Sequence, residues 1–139
     1  MATKDVLVCV TRQKTCERLI KEGARLIIGD EKLYVVNVSP DGWSLLGKQY
    51  DGADQAADAL EYLFEISKNY GAYMTVLRSE DVVKALVSFL NKKSISTVIL
   101  GGSKEEDHAS TIAKKIKRKV PYDLEVRILP TEGEDYKKE

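Results

Sequence analysis

The chain has 139 residues, of which 43% are hydrophobic and 32% charged, a balance typical of one compact soluble domain. Its 22 Lys and Arg residues match its 22 Asp and Glu residues, so the formal net charge is zero. Without an excess of positive charge there is no long-range attraction to nucleic acid or to an anionic membrane, and we expect neither as a partner.

The first half of the chain alternates between strand and helix patterns. Short apolar runs such as DVLVCV are typical of strands that helices cover on both faces. The segments between them have apolar residues at helical spacing, among them Ile28 and Phe64. Gly29 and Gly71 are placed to end the two helices in left-handed turns. The predicted elements are a strand over residues 5–10, a helix over 15–28, a strand over 32–38 and a helix over 51–70.

The second half continues the alternation. A third helix is predicted to have Val82 on its apolar face and to be capped by Ser79 or Asp81. Residues 131–139 are mostly Glu, Asp and Lys and predict a solvated tail, which leaves residues 1–130 as the folded domain. The predicted strands cover residues 73–77, 97–100 and 124–129, and the fourth helix covers residues 110–119.

Five strand patterns separated by four helices predict an α/β domain of the doubly wound type. Each parallel crossover needs a helix and is right-handed, so the sheet is parallel with helices on both faces. Ligands of such sheets bind beyond the carboxyl ends of the strands, where the strand order reverses. The loops at that edge cover residues 11–14, 39–50 and 101–109.

Three segments carry a family resemblance. They are the opening DVLVCVTRQKTCERLIKEGARLI, the strand VILGGS and the final helix followed by YDLEVRIL. Together they span almost the whole chain and resemble a universal stress protein (UspA-like) domain. The opening is most similar to the universal-stress domain of KdpD-type potassium-sensor kinases. The resemblance implies the strand order 3-2-1-4-5 of the adenine nucleotide alpha hydrolase-like fold.

Nucleotide-binding members of that family hold phosphates on a glycine-rich loop after the fourth strand. The matching stretch GGSKEEDHASTIAKK keeps Gly101 but has Lys104 and Ala109 at the other two glycine positions. The acidic residues 105–107 would repel a phosphate there unless they turn away or a cation bridges them. Where the family places an Asp for ribose, this chain has Arg12, which can bind a phosphate but cannot accept a hydrogen bond. The implied ligand-binding residues are Thr11, Arg12, Val38, Gly101, Gly102, Ser103, Ser110 and Thr111.

The implied ligand is an adenine nucleotide such as ATP or AMP, or a cyclic dinucleotide. Val38 matches the family position that packs against adenine. An ordinary turn after Gly101, with Ser110 or Thr111 as the N-cap of the following helix, explains the same residues without a ligand.

Residues 39–50 form a long segment without periodicity that contains Trp43. Loops of this length in compact domains are often functional. Three interpretations are open: the segment covers a ligand, contacts a protein partner, or packs on the flank of its own domain.

The last strand alternates in polarity, which is typical of an edge strand. In the resembling family this strand commonly pairs with its copy, which implies a homodimer in which Glu125 and Arg127 meet across a two-fold axis. The alternative is an edge protected by those charges and by Pro130. Leu124, Val126 and Ile128 alternate here with Glu125, Arg127 and Leu129.

Few residues suggest covalent or metal chemistry. Cys9 and Cys16 lack metal-site spacing, and we expect both to be reduced, with Cys9 in the core. Cys16, in the first turn of a helix, is either a thiol of lowered pKa or a packing residue. His108 is the single histidine, which excludes a histidine metal cluster. A general base would have to be His108 or one of the acidic residues 105–107.

Two further features, the apolar run near the N-terminus and the charges of the last helix, do not point to a binding site. The apolar run over residues 6–10 is much shorter than a signal peptide or a spanning helix requires, so we expect a cytoplasmic protein. The last helix carries a cationic face that we interpret as a solvated surface. Its members are Lys114, Lys115, Lys117, Arg118 and Lys119.

The sequence therefore favours a noncatalytic regulatory module of the universal stress type that binds an adenine nucleotide weakly. A dimeric interaction module without a nucleotide is one alternative. An enzyme that hydrolyses ATP slowly is another. A fold likeness does not choose between these functions.

Overall fold

The computed structural model describes residues 4–10, 13–39, 53–101 and 108–129. Within these residues, helices and strands alternate along the chain as the sequence patterns predict. The strands are β1 (Val6–Cys9), β2 (Leu33–Ser39), β3 (Tyr73–Arg78), β4 (Thr97–Gly101) and β5 (Glu125–Leu129). The helices are α1 (Gln13–Arg25), α2 (Ala53–Asn69), α3 (Val82–Lys93) and α4 (His108–Lys119).

The described strands form one parallel sheet in the order β3-β2-β1-β4-β5. In the centre of the sheet, Val8 of β1 is in register with Val35 of β2 and with Ile99 of β4. The predicted fold class and the implied strand order are both confirmed. β3 and β5 are the two edges.

The two faces of the sheet have separate cores. Side chains alternate along β1, so that Val6 and Val8 pack with α1 and α2, whereas Leu7 and Cys9 pack with α3 and α4. All of these residues are buried. This double coverage explains why β1 is a continuous apolar run rather than an alternating one.

Helix α2 ends as the sequence predicts. Gly71 has φ +70°, in the left-handed region that glycine adopts without strain. The Gly71 N–H donates to the carbonyl of Lys68 at 3.0 Å, and the Ala72 N–H donates to that of Ser67 at 2.8 Å. These two bonds form a Schellman motif, which satisfies carbonyls that the helix end leaves open.

The predicted end of the first helix is wrong. α1 stops at Arg25, and the N–H groups of Leu26 and Ile27 donate to carbonyls three residues earlier. Ile28 is 84% exposed, and Gly29 does not adopt a positive φ. The tighter last turn rotates the chain away from the helical pattern, so Ile28 leaves the buried face.

Two other predicted core positions are also exposed. Phe64 lies one residue beyond Leu63, and the buried stripe of α2 turns instead through Leu63 and Ser67. Phe64 is therefore 53% exposed. Val82 is the first residue of α3 and is 37% exposed, whereas Leu86, one turn later, is fully buried.

The structure decides which of the two predicted residues caps the N-terminus of α3. Asp81 is the N-cap, because its Oδ1 accepts a hydrogen bond from the Lys84 N–H at 3.0 Å. Ser79 supports Asp81, whose N–H donates to the Ser79 hydroxyl at 3.1 Å. Among the helices of the described residues, none is long and apolar enough to cross a membrane.

Candidate functional site

The strand order places a topological switch point between β1 and β4. The chain leaves β1 through α1 toward β2, and it leaves β4 through α4 toward β5 on the other side. The two connections cross opposite faces of the sheet and open a crevice between the carboxyl ends of β1 and β4. Ligands of doubly wound sheets bind at such a crevice.

A buried asparagine holds the end of β1. The Nδ2 of Asn37, in β2, donates a hydrogen bond of 2.8 Å to the carbonyl of Val10. The Val10 N–H in turn donates to the Val36 carbonyl at 2.9 Å. Asn37 is fully buried, and among the described residues its Oδ1 has no hydrogen-bond partner. The amide therefore fixes the point at which the chain enters the loop after β1.

Val38 lies one residue further along β2. Its side chain is buried in the core under α3 and α4, and its backbone is in register with Leu77 of β3. Only 9% of Val38 is exposed, so it is mainly a core residue at the carboxyl end of β2.

Gly101 ends β4, in register with Leu129 of β5. A Cβ at this position would lie 3.3 Å from Leu19 Cδ1 of α1. That is tighter than an ordinary carbon contact of about 3.5–4.0 Å. Packing therefore explains why residue 101 is a glycine, because a side chain there would crowd Leu19 of α1. Gly101 is nevertheless exposed at this edge of the sheet.

Ser110 and Thr111 lie inside the first turn of α4, because this helix starts at His108. The prediction that either one is the N-cap is therefore wrong. Ser110 is half-buried, and Thr111 is exposed. The N–H groups of a first helical turn have no partners within the helix and attract anions. Asp107, which precedes the helix and is a favoured cap residue, lies outside the described residues.

Several predicted features lie outside the described residues and stay predictions. The site residues among them are Thr11, Arg12, Gly102 and Ser103. Three predicted segments also lie outside the described residues: the acidic residues 105–107, the Trp43 segment and the tail over residues 131–139. The structure therefore brings Val38, Gly101, Ser110 and Thr111 to one edge of the sheet, as half of the implied site.

The cysteine prediction is confirmed for Cys9. The Cys9 side chain is buried in the core, and burial raises the pKa of its thiol to about 12. Because the thiolate is the reactive form, this thiol is inert near neutral pH. Within the described part of the chain, no three His, Cys, Asp or Glu residues cluster closely enough to hold a metal ion.

The sequence interpretation did not identify Asn37. The signal was present, because Asn37 is the single strongly polar side chain inside the run LYVVNV, which is otherwise apolar or aromatic. A buried amide needs a hydrogen-bond partner. Its partner, Val10, became visible only once β1 and β2 were known to be neighbours.

Solved structures of universal stress proteins have a similar fold. One from Archaeoglobus fulgidus has a TM-score of 0.56 at 19% identity and covers 92% of this chain and 94% of its own. The A. fulgidus universal stress protein in complex with dAMP has a TM-score of 0.55 at 18% identity, with coverage of 92% and 98%. A universal stress protein in complex with cAMP has a TM-score of 0.59 at 15% identity, with coverage of 95% and 100%.

These likenesses establish the fold of this chain over nearly its full length. No protein-family model matches the sequence. No curated protein matches it significantly. The nucleotides dAMP and cAMP belong to the proteins in which they were found.

Proposed function

We propose that this chain is a regulatory module of the universal stress type that binds an adenine nucleotide at the crevice between β1 and β4. The observation that carries the proposal is the switch point itself, with the start of α4 at the same edge of the sheet. It is supported by two proteins of the same fold, one in complex with dAMP and one with cAMP.

The described residues at this edge suit the parts of such a ligand. In the proposal, the base contacts the small part of Val38, 9% of its surface, that stays exposed. Ser110 and Thr111 carry hydroxyls in the first turn of α4, where the helix dipole favours a phosphate. Gly101 is exposed at the end of β4, so its backbone is open to the ligand. In the proposal, Thr11, Arg12, Gly102 and Ser103 complete the site.

The proposed module is noncatalytic and acts through a change of loop arrangement. A ligand shifts a conformational equilibrium only by its difference in affinity for the two states. The loops after β1 and β4 are the segments that a nucleotide in the crevice would contact. Through the resemblance of the chain's opening to KdpD-type kinase domains, cyclic di-AMP is a fourth ligand to test beside AMP, cAMP and ATP.

The proposal includes a homodimer through β5 and a cytoplasmic location. β5 is an edge of the sheet, and Ile128 is 41% exposed on it. An exposed strand edge is a template for pairing with a second copy. Within the chain, the Arg127 Nε donates to a carboxylate oxygen of Glu125 at 2.9 Å. In the dimer these two side chains would exchange partners across the two-fold axis.

Thermal unfolding with and without each nucleotide tests the proposal. A ligand at 100 times its dissociation constant stabilises the folded state by about 2.7 kcal/mol. For a domain of this size we expect the melting temperature to rise by roughly 5–10 °C. Chromatography of the same samples should recover the nucleotide intact.

A double variant locates the effect. Ser110→Ala with Thr111→Val should reduce the nucleotide-induced shift. Ser88→Ala, which removes a hydroxyl from the exposed surface of α3, should leave it unchanged. No shift with any of the four nucleotides would reject the proposal. Nucleotide turnover that disappears in His108→Ala would favour the alternative, an ATP-hydrolysing enzyme.

A further inference from the structure

A groove of about 640 Å³ lies between α3 and α4 on the outer surface of the domain. None of its lining residues belongs to the proposed nucleotide site. Four of them are cationic, and two are half-buried valines. They are Lys84, Lys115, Arg118, Lys119, Val83 and Val87. We call this feature the α3–α4 groove.

The charge of the α3–α4 groove is strongly one-sided. Against its four cations stands one carboxylate, that of Asp81. This carboxylate also caps α3 by accepting the Lys84 N–H, and it leaves three positive charges of the groove in excess. The ion pairs of Glu22 with Arg25 and Arg127, and of Glu125 with Arg127, lie outside the groove. The groove therefore presents positive charge that an anionic partner can neutralise.

The cationic surface continues beyond the groove. A second depression of about 380 Å³ shares Lys84 and Ser88 with it and adds Lys92 on the other flank of α3. Cations spaced over two adjoining depressions match an extended anion with several charges better than a single phosphate. The partner should therefore be a chain of anionic groups.

The lining favours an acidic peptide over other extended anions. Binding of single-stranded nucleic acid relies on exposed aromatic side chains on which bases stack. Among the described residues that line the two depressions, the one aromatic side chain is Phe89, which is only 9% exposed. Val83 and Val87 instead offer aliphatic contact between the cations, which suits a peptide with both acidic and apolar side chains.

We propose that the α3–α4 groove binds an acidic peptide segment of a partner protein. Carboxylates of the peptide pair with Lys84, Lys115 and Arg118, and an apolar side chain lies on Val83 and Val87. Helix α4 is then a recognition surface rather than a merely solvated one. Because the groove and the nucleotide site share no residues, failure of one proposal leaves the other standing.

The probe is a fluorescein-labelled peptide of about a dozen residues built from Asp-Glu-Leu repeats, and the readout is fluorescence anisotropy at low salt. Its matched peptide replaces Asp by Asn and Glu by Gln. We expect the acidic peptide to bind and the neutral one to bind at least about tenfold more weakly. Equal binding of the two peptides would overturn the proposal.

Two double variants on the same helix provide the decisive comparison. Lys115→Glu with Arg118→Glu reverses two charges in the groove. Lys114→Glu with Lys117→Glu reverses two exposed charges on α4 that do not line it. We expect a loss of affinity of about tenfold or more in the first variant and less than about twofold in the second. Equal losses would show nonspecific attraction and overturn the proposal.

Alanine substitutions at the same two pairs repeat the comparison should a charge reversal prevent folding. An oligothymidylate and phosphatidylserine vesicles test the other extended anions. Tighter binding of either one than of the acidic peptide would overturn the proposal in favour of nucleic acid or of a membrane surface.

Discussion

At the scale of single residues, the lack of a side chain at Gly23 allows α1 to pack closely on β1 and β2. A Cβ at Gly23 would lie 2.7 Å from Val8 Cγ2 and 2.8 Å from Leu33 Cδ1. Distances this short do not occur between real side-chain atoms, so the helix sits on the sheet as closely as it does only because residue 23 has no side chain. The sequence alone does not show how near the sheet lies to Gly23.

Gly23→Ala should therefore destabilise the protein, although alanine is the better helix former. Intrinsic helix propensity alone favours the substitution by about 1 kcal/mol. Overpacking against Val8 and Leu33 opposes it by about 1–3 kcal/mol, and we expect this effect to dominate. Urea denaturation measures the balance.

Gly29→Ala is the matched control. Gly29 has an ordinary φ, and a Cβ there would meet only Glu31 Oε1 at 3.7 Å. We expect this variant to be as stable as the parent within about 0.5 kcal/mol. Equal stability of the Gly23 and Gly29 variants would contradict the close packing.

At the scale of elements, Tyr122 ties the end of α3 to the start of β4. Its hydroxyl lies 2.6 Å from the carbonyl oxygen of Ile95 and 3.0 Å from that of Leu90. Burial raises the pKa of the phenol. The hydroxyl therefore keeps its single proton, which the two carbonyl oxygens share, well into the alkaline range.

Tyr122→Phe should reduce the free energy of unfolding by about 1 kcal/mol, since a carbonyl at a partly buried site loses its donor. Tyr73→Phe, at an exposed position of β3, should change it much less. Because the folded pKa of Tyr122 is raised, its contribution is complete below the ordinary value of 10 and is lost as the pH rises through the folded value. A loss as large in Tyr73→Phe would contradict this role.

A chain of charges connects α1 with β5. Glu22 pairs with Arg25 on its own helix, and one of its oxygens lies 3.9 Å from the Arg127 guanidinium of β5. The hydrogen bond from Arg25, together with the charge of Arg127, holds the pKa of Glu22 below its ordinary value of 4.5.

Glu22→Gln should cost about 0.5 kcal/mol at neutral pH, which is typical of a partly exposed ion pair. The carboxylate of a group with a lowered pKa stabilises the fold above its ordinary value, and that contribution is lost as the pH falls through the folded value. Chemical denaturation at pH 7 and at pH 3 should therefore show a smaller difference between parent and variant in acid. A difference that grows in acid would contradict the assignment.

Sequence patterns predicted all the described elements, but the ends and faces of helices were less certain. Hydrophobic spacing located α1 and α2, yet Ile28 and Phe64 are exposed. The pattern reports which residues are apolar, whereas burial depends on where the sheet lies and where the last turn tightens. The glycine signal was right at Gly71, where φ is positive, and wrong at Gly29, where it is not.

At the scale of the whole molecule, strand order decides which loops meet. Alternating strands and helices predict a parallel sheet, but they do not place β1 beside β4, and the family resemblance supplied that order. Once the order is fixed, residues as distant in sequence as Val38 and Ser110 lie at one edge. The charged groove between α3 and α4 had no such signal, because Lys84 and Arg118 belong to different helices.

An NMR titration with AMP tests the central claim, that the carboxyl edge near the switch point binds an adenine nucleotide. We predict the largest shifts at the backbone amides of Val38, Gly101, Ser110 and Thr111, with little change at Leu33 and Tyr73, where β2 and β3 begin. Shifts confined to that opposite edge or to the α3–α4 groove, or no shifts at millimolar AMP, would contradict the claim.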